Sequence, residues 1–244
     1  MVVNTSSALE VTDGCKGCKM GAAGSFCITS PEILAAMDAT GFGATYPKGS
    51  MLFSEGEPPR GVMILCKGRV KVYVNSAEGK TLILRIAKPG DVLGLRSVIS
   101  DQPRQATAET IETCHVTFFR RDDFLRLLNQ HGELSLKAAQ QLSATYETAC
   151  EQVRSIGLAG SAPRKLAHFL LNWTASGTRV GPGVRAVLTL THEEIGQLIN
   201  ASRETVTRTL SDFKARKLVH LKGSAISIPD CSALERVASD WNPR

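Results

Sequence analysis

Three cysteines, Cys15, Cys18 and Cys27, fall within thirteen residues of a glycine-rich leader, in the stretch CKGCKMGAAGSFC. Thiols at such spacing form a disulfide, ligate zinc, or hold one side of an iron–sulfur cluster. Seven cysteines is an odd count, and a chain of 244 residues is far too long to be a disulfide scaffold, so the disulfide loses most of its weight. Metal and cluster chemistry stay open on the residues alone. Cys66 alternates with Ile64 and Val62 in an apolar run, which predicts burial. Cys150, Cys231 and the isolated His115, His168 and His192 receive no ligand role.

A second chemical constellation lies in LTHEEIGQLINASRETVTRTLSDFKARKLVHLKGSAISI. Thr191 with Glu194 three residues on is a capping-box signature, and Ile195, Leu198 and Ile199 give the first helix an inward face. After the tight turn INAS, Ser202 caps a second helix whose Val206, Leu210 and Phe213 turn inward. Arg203, Glu204, Thr207 and Arg208 then stand at or near its exposed N-terminal end. Arginine donates two hydrogen bonds to guanine O6 and N7, and a carboxylate accepts from cytosine N4. LVHLKGSAISI follows as a hairpin that brings Lys222 to a basic tip able to meet phosphate. Cap, turn, second cap and wing in this order argue for a helix-turn-helix reader over a helical hairpin with a solvated charged face.

These residues need positioning elements. A chain of 244 residues with 43% hydrophobic content predicts two domains with real cores. No apolar run reaches the roughly 18 residues of a membrane span, and the first residues lack a signal-peptide pattern, so a soluble, cytoplasmic protein without a membrane partner is expected. The net charge of +6 leans toward a polyanionic partner. No P-loop, paired-histidine motif or nucleophile elbow occurs, and the chain does not read as an enzyme.

Between Tyr46 and Phe119 short apolar runs broken by glycines predict a β-barrel or sandwich. Val70, Val72 and Val74 alternate with polar neighbours, and SAEGKT around Gly79 reads as a hairpin turn. From Asp122 to Ile156 one long helix is expected, with Ala139, Leu142, Tyr146, Ala149, Val153 and Ile156 at alternating steps of three and four. That heptad seam suits a parallel dimer contact better than a helix laid on its own β-domain. GLAGSAP is a hinge, APRKLAHFLLNWTAS an amphipathic helix with Leu166, Phe169, Leu170 and Trp173 on one face, SGTRVGPGVRA a loop, and VLTLT a strand.

Taken together, the barrel, heptad helix, hinge and LTHEEIGQLINASRETVTRTLSDFKARKLV resemble the bacterial CRP/FNR transcription regulators over nearly the whole chain. The resemblance implies an α+β fold: a cyclic-nucleotide-binding-like β-roll, a long dimerisation helix and a C-terminal winged helix-turn-helix. The expected divisions are a cysteine-rich segment 1–30, a sensory β-roll 31–121, a dimerisation helix 122–156 and a DNA-binding domain 160–244. It further implies a homodimer on a palindromic operator in double-stranded DNA, with RNA polymerase as another partner. Ser202, Arg203, Glu204, Thr207, Arg208 and Lys222 become the DNA-contacting set, reading half-sites that contain TGA, with GTGA favoured by Arg203.

Two signals follow from the same resemblance. Cys15, Cys18 and Cys27 with Cys114 match the ligand placement of a [4Fe–4S] cluster, although the gap between Cys18 and Cys27 is longer than in the best-known members; zinc is the alternative. A cyclic-nucleotide pocket would need an acidic ribose acceptor after GDVLG and an Arg followed by Ser or Thr. This chain has Leu95 and Arg104-Gln105. Cyclic AMP is therefore not expected, which leaves another small anion near Arg96 or Arg104 as the rival signal. A ligand-sensing module without DNA binding, like the kinase regulatory subunits that share the barrel, is the rival of another class.

Overall fold

The computed structural model describes residues 10–12, 26, 30–157, 160–175 and 177–239. The chain divides into two compact units, Met1–Ala149 and Cys150–Arg244. Cys15, Cys18 and Cys27 lie outside the described residues. No described helix is long and apolar enough to cross a membrane.

The first unit begins with strand β1 (Glu10–Thr12), helix α1 (Pro31–Thr40) and strands β2 (Gly41–Tyr46), β3 (Met51–Phe53), β4 (Gly61–Lys67), β5 (Val70–Asn75), β6 (Thr81–Ala87) and β7 (Val92–Leu93). Helix α2 (Leu95–Ser100), strands β8 (Thr107–Thr110) and β9 (Cys114–Arg120), and helix α3 (Arg121–Gln130) follow, and α4 (Gly132–Gly157) runs into the second unit. The strands form two antiparallel sheets, in the orders β1-β2-β9-β4-β7 and β3-β8-β5-β6. As expected, β5 and β6 pair as a hairpin with Gly79 at φ +80. A bulge between Val72 and Tyr73 interrupts the strict alternation.

Strand β4 is apolar on both faces because it serves two cores. Met63 and Leu65 join Tyr46, Phe53, Val70 and Val116 in one cluster contributed by both sheets. Val62 and Ile64 join Phe119 beneath Met37, Phe124 and Leu134 of the helices in the other. Cys66, at its end, is half-buried, with Sγ 3.4 Å from Thr117 Oγ1.

The long helix expected over 122–156 is two helices. The chain leaves α-geometry at His131 (φ −125°, ψ 96°), next to Gly132, and restarts as α4. Along α4, Leu134 and Ala138 are buried in the unit's own core and Leu142 packs partly against it. Leu142 thus belongs as much to the β-domain as to a seam. Gln141 also faces inward: its side-chain amide accepts from Val92 N–H at 3.0 Å and donates to Val92 C=O at 2.8 Å, standing in for a further strand at the edge of β7. Ala139, Tyr146, Ala149 and Val153 are exposed, and Leu136, Tyr146 and Val153 leave 60%, 72% and 69% of their surface open. Ile156 lies on α4, but its side chain is outside the described set.

The second unit continues with α5 (Ala162–Thr174), β10 (Thr178–Val180), β11 (Gly183–Val187), α6 (His192–Ile199), α7 (Arg203–Ala215), β12 (His220–Lys222), β13 (Ala225–Ile228) and α8 (Cys231–Ala238). Its sheet order is β10-β11-β13-β12. The stretch expected to be a loop, SGTRVGPGVRA, holds the β10–β11 hairpin, and the strand expected at VLTLT lies earlier, ending at Val187. On α5, Leu166, Ala167 and Leu170 are buried, whereas Phe169 and Trp173 are half-buried and lie ring to ring at 5.7 Å.

Candidate nucleic-acid interface

Helix α6 starts where the sequence places it. Thr191 Oγ1 accepts from the Glu194 N–H at 3.2 Å, and Glu194 Oε2 accepts from the Thr191 N–H at 2.9 Å. This reciprocal box satisfies two amides that the helix itself leaves without partners. The helix ends at Asn200, whose φ of 51° is left-handed and suits asparagine. Glycine at 196 has a steric reason: a Cβ there would stand 2.5 Å from the Ala201 carbonyl oxygen. The close turn delivers Ser202, which caps α7 by accepting from the Thr205 N–H at 3.2 Å.

Helix α7 is fixed by one face and exposes the other. Val206, Leu210 and Phe213 are buried, as are Ile195 and Ile199 of α6, whereas Leu198 is only half-buried. Ser202, Arg203, Glu204, Thr207 and Arg208 are all exposed at the start of α7. The Glu204 carboxylate is held below the usual range, first by its own backbone N–H, then by the Ser202 side chain, with Arg203 adding. It therefore remains an ionised, acceptor-only group at a helix N-terminus. Two guanidinium groups and one carboxylate thus project from the first turns of an anchored helix. That set is equipped for guanine O6 and N7 and for cytosine N4.

The β12–β13 hairpin turns at Gly223 (φ +59) and Ser224, with Lys222 paired to Ala225 and exposed. A lysine at such a tip neutralises phosphate and carries no sequence information. His192, which receives no ligand role on sequence grounds, stands with Nδ1 2.8 Å from Thr207 Oγ1. Fifteen residues separate the two, and no local pattern announces the contact.

Cys114 is placed as a core residue, not as an accessible thiolate. It is fully buried, and its Sγ lies 3.2 Å from the Arg69 carbonyl and 3.3 Å from that of Glu112. Burial above all pushes its thiol up to about 11. Gly68 is packed so closely that a Cβ there would stand 2.6 Å from Sγ. With Gly68 and the two carbonyls packed against Sγ, these described surroundings do not fit the fourth-ligand role. Among the described residues, no group of three or more His, Cys, Asp or Glu is placed to hold a metal ion.

The two arginines of the effector region differ in setting. Arg96 is exposed on α2, whereas Arg104 is 7% exposed and lies over the Phe53 ring at 4.4 Å. Its guanidinium donates to Gly94 O at 2.9 Å and to Gly61 O, and its Nε has no acceptor among the described residues. Burial lowers the pKa to about 10, with Glu57 opposing. Gly94, at φ +80, admits the guanidinium, since a Cβ there would stand 1.7 Å from Arg104 Nη1. Leu95, beside it, is buried.

Residues 44–131 match the cyclic nucleotide-binding domain, and residues 164–237 match the Crp-like helix-turn-helix domain. The chain is 30% identical over 217 residues to a CRP-like cAMP-activated global transcriptional regulator of Mycobacterium tuberculosis, spanning 88% of this chain and 96% of that one. It is 26% identical over 184 residues to the cAMP-activated global transcriptional regulator CRP of Salmonella typhimurium, spanning 75% and 87%. Among solved structures, FixK2 from Bradyrhizobium japonicum superposes with a TM-score of 0.73 at 22% identity, over 82% of this chain and 98% of that one. A CooA mutant from Carboxydothermus hydrogenoformans gives 0.70 at 21% identity, over 88% and 99%.

Proposed function

Because the chain belongs to the CRP/FNR family of DNA-binding transcription regulators, whose similar members are regulators and not enzymes, we propose that it acts as a homodimer on an inverted repeat. Its half-sites contain TGA, with guanine before it favoured by Arg203, and lie about one helical turn, roughly 34 Å, apart. RNA polymerase is the partner through which bound protein acts. The observation that carries this reading is the capped N-terminal end of α7, with Arg203, Glu204 and Arg208 exposed above a buried apolar face.

Selection from a random duplex pool tests it. The expected product is a palindrome with TGA in each arm, whose log affinity falls linearly with log salt as phosphates are neutralised. An asymmetric product, or binding indifferent to salt, would refute it.

For the signal, the reading favoured by the sequence is redox sensing through Cys15, Cys18 and Cys27. The support is their spacing; Cys114 in its described surroundings does not complete the set. An iron–sulfur cluster or zinc is what such thiolates take. Anaerobic purification followed by iron, sulfide and zinc analysis distinguishes them. Replacing Cys15, Cys18 or Cys27 with alanine is expected to abolish the bound metal, and Cys114→Ala to leave its stoichiometry unchanged. Metal-free protein from reduced cells would remove the redox reading.

The second reading has its own observation: Arg104 is a nearly buried cation whose Nε has no partner among the described residues. A small anionic effector other than cyclic AMP would meet that group. The similar regulators named above are cAMP-activated, but Leu95 offers no hydrogen-bond acceptor for a ribose.

A further inference from the structure

One contact in the helix-turn-helix is not used by the base-reading scheme. His192 opens α6, and its Nδ1 stands 2.8 Å from the Thr207 hydroxyl on α7. The same hydroxyl lies 2.9 Å from the Arg203 carbonyl oxygen, four residues earlier in α7. A threonine hydroxyl has one proton and two acceptor sites. The Arg203 carbonyl can only accept, so the proton goes to it. His192 Nδ1 must then carry its own proton and donate. The reverse assignment would leave two oxygens 2.9 Å apart with no proton between them.

Thr207 is exposed beside Arg203, Glu204 and Arg208, yet its only donor is committed to its own helix. Thymine offers an O4 acceptor and a C5 methyl in the major groove. With the hydroxyl proton spent, O4 is out of reach as a hydrogen-bond partner, and the methyl of Thr207 is the group left for thymine.

We infer that His192 is a positioning residue for DNA readout: its contact with Thr207 commits the hydroxyl, so that Thr207 selects thymine through methyl-to-methyl contact. The inference rests on α7 being the base-reading helix. Without His192, the threonine side chain is held by the Arg203 carbonyl alone and regains its alternative helical rotamer. A remaining lone pair on Oγ1 could accept from adenine N6 or cytosine N4, and the test separates that case.

The selected inverted repeat is prepared with each half-site thymine replaced in turn by uracil, which lacks only the C5 methyl, and affinities are read by fluorescence anisotropy. Wild-type protein is expected to bind about three- to fivefold more weakly at one thymine position, the scale of withdrawing one apolar carbon from contact. Thr207→Val, which keeps the shape and loses the hydroxyl, should retain that discrimination, and Thr207→Ser, which keeps the hydroxyl and loses the methyl, should lose it. His192→Ala should reduce it to under about twofold, while His192→Asn, whose amide offers an N–H near the place of Nδ1, should restore it. Thermal unfolding should be alike in all variants. Equal affinity of wild type for every thymine and uracil duplex, or altered base preference in Thr207→Val, would overturn the inference. Failure of wild type to prefer any inverted repeat over non-specific duplex would overturn the reading of α7 beneath it.

Discussion

Val153→Glu is expected to convert an operator-binding dimer into a monomer and to weaken binding to a full inverted repeat by about 10²- to 10⁴-fold, the range by which linking two binding events exceeds one. Val153 has 69% of its surface open on α4, and Tyr146, seven residues earlier, has 72%. Seven residues is two turns at 3.5 residues per turn, so both fall on one stripe with the exposed Ala139 and Ala149. Large apolar side chains at such spacing are costly in water and gain when a second helix covers them. In a parallel pair the stripe meets its own copy, so each substituted dimer would place two carboxylates face to face in a drying contact. Sedimentation equilibrium reads the mass, and anisotropy reads affinity for a full repeat and for a single half-site. The half-site affinity should stay as in wild type, because Val153 is exposed and the buried face of the helix-turn-helix, Ile195, Val206, Leu210 and Phe213, is unchanged. A variant that remains dimeric, or that loses full and half-site binding equally, would contradict the seam.

The second unit was legible because its signals are local. A capping box needs only Thr191 and Glu194, a second cap only Ser202, and the buried face only the spacing of Val206, Leu210 and Phe213. Each acts within a few residues, where helix geometry alone fixes who meets whom. Gly196 is intermediate: a glycine inside a helix is visible, but its reason is a carbonyl five residues away that only the turn brings within 2.5 Å.

What the sequence did not disclose depends on partners far along the chain. Gln141 reads as a polar residue on a helix, yet both ends of its amide are spent on Val92, forty-nine residues earlier. Leu142 fits a heptad equally well whether it faces a second copy or its own domain, and only the folded core, which holds Phe124 and Leu134, shows that its own domain takes up part of it. Cys114 satisfies a ligand pattern by position. Its burial against Gly68, with the Arg69 and Glu112 carbonyls near its sulfur, follows only from the barrel. The β10–β11 hairpin was masked by glycine and proline that mark its turn. Periodicity identifies a face; it does not identify what the face meets.

Arg203→Ala tests the base-reading end of α7 most directly, and the dimer doubles its effect. A good bidentate contact between arginine and guanine discriminates by about 1–3 kcal/mol. The proposed inverted repeat would carry two such contacts, and separated positions add roughly, so the loss should be about 2–6 kcal/mol, or between about 30-fold and 10⁴-fold in affinity. Stability should change little, because Arg203 is exposed and the Ser202 cap and the buried Val206, Leu210 and Phe213 remain. The loss should be confined to operators with guanine at the position read, leaving the variant almost indifferent to the base there. Lys222→Ala supplies the contrast, since a wing lysine on phosphate weakens all duplexes alike. It should lower the log–log salt slope by about 0.9 per phosphate released, hence by about two per dimer. Affinities measured across a salt series on the selected operator and on four variants at the guanine position separate the two effects. If Arg203→Ala weakens every duplex equally and changes the salt slope alone, the guanidinium sits on the backbone, and base selection must be assigned to Glu204 and Arg208 instead.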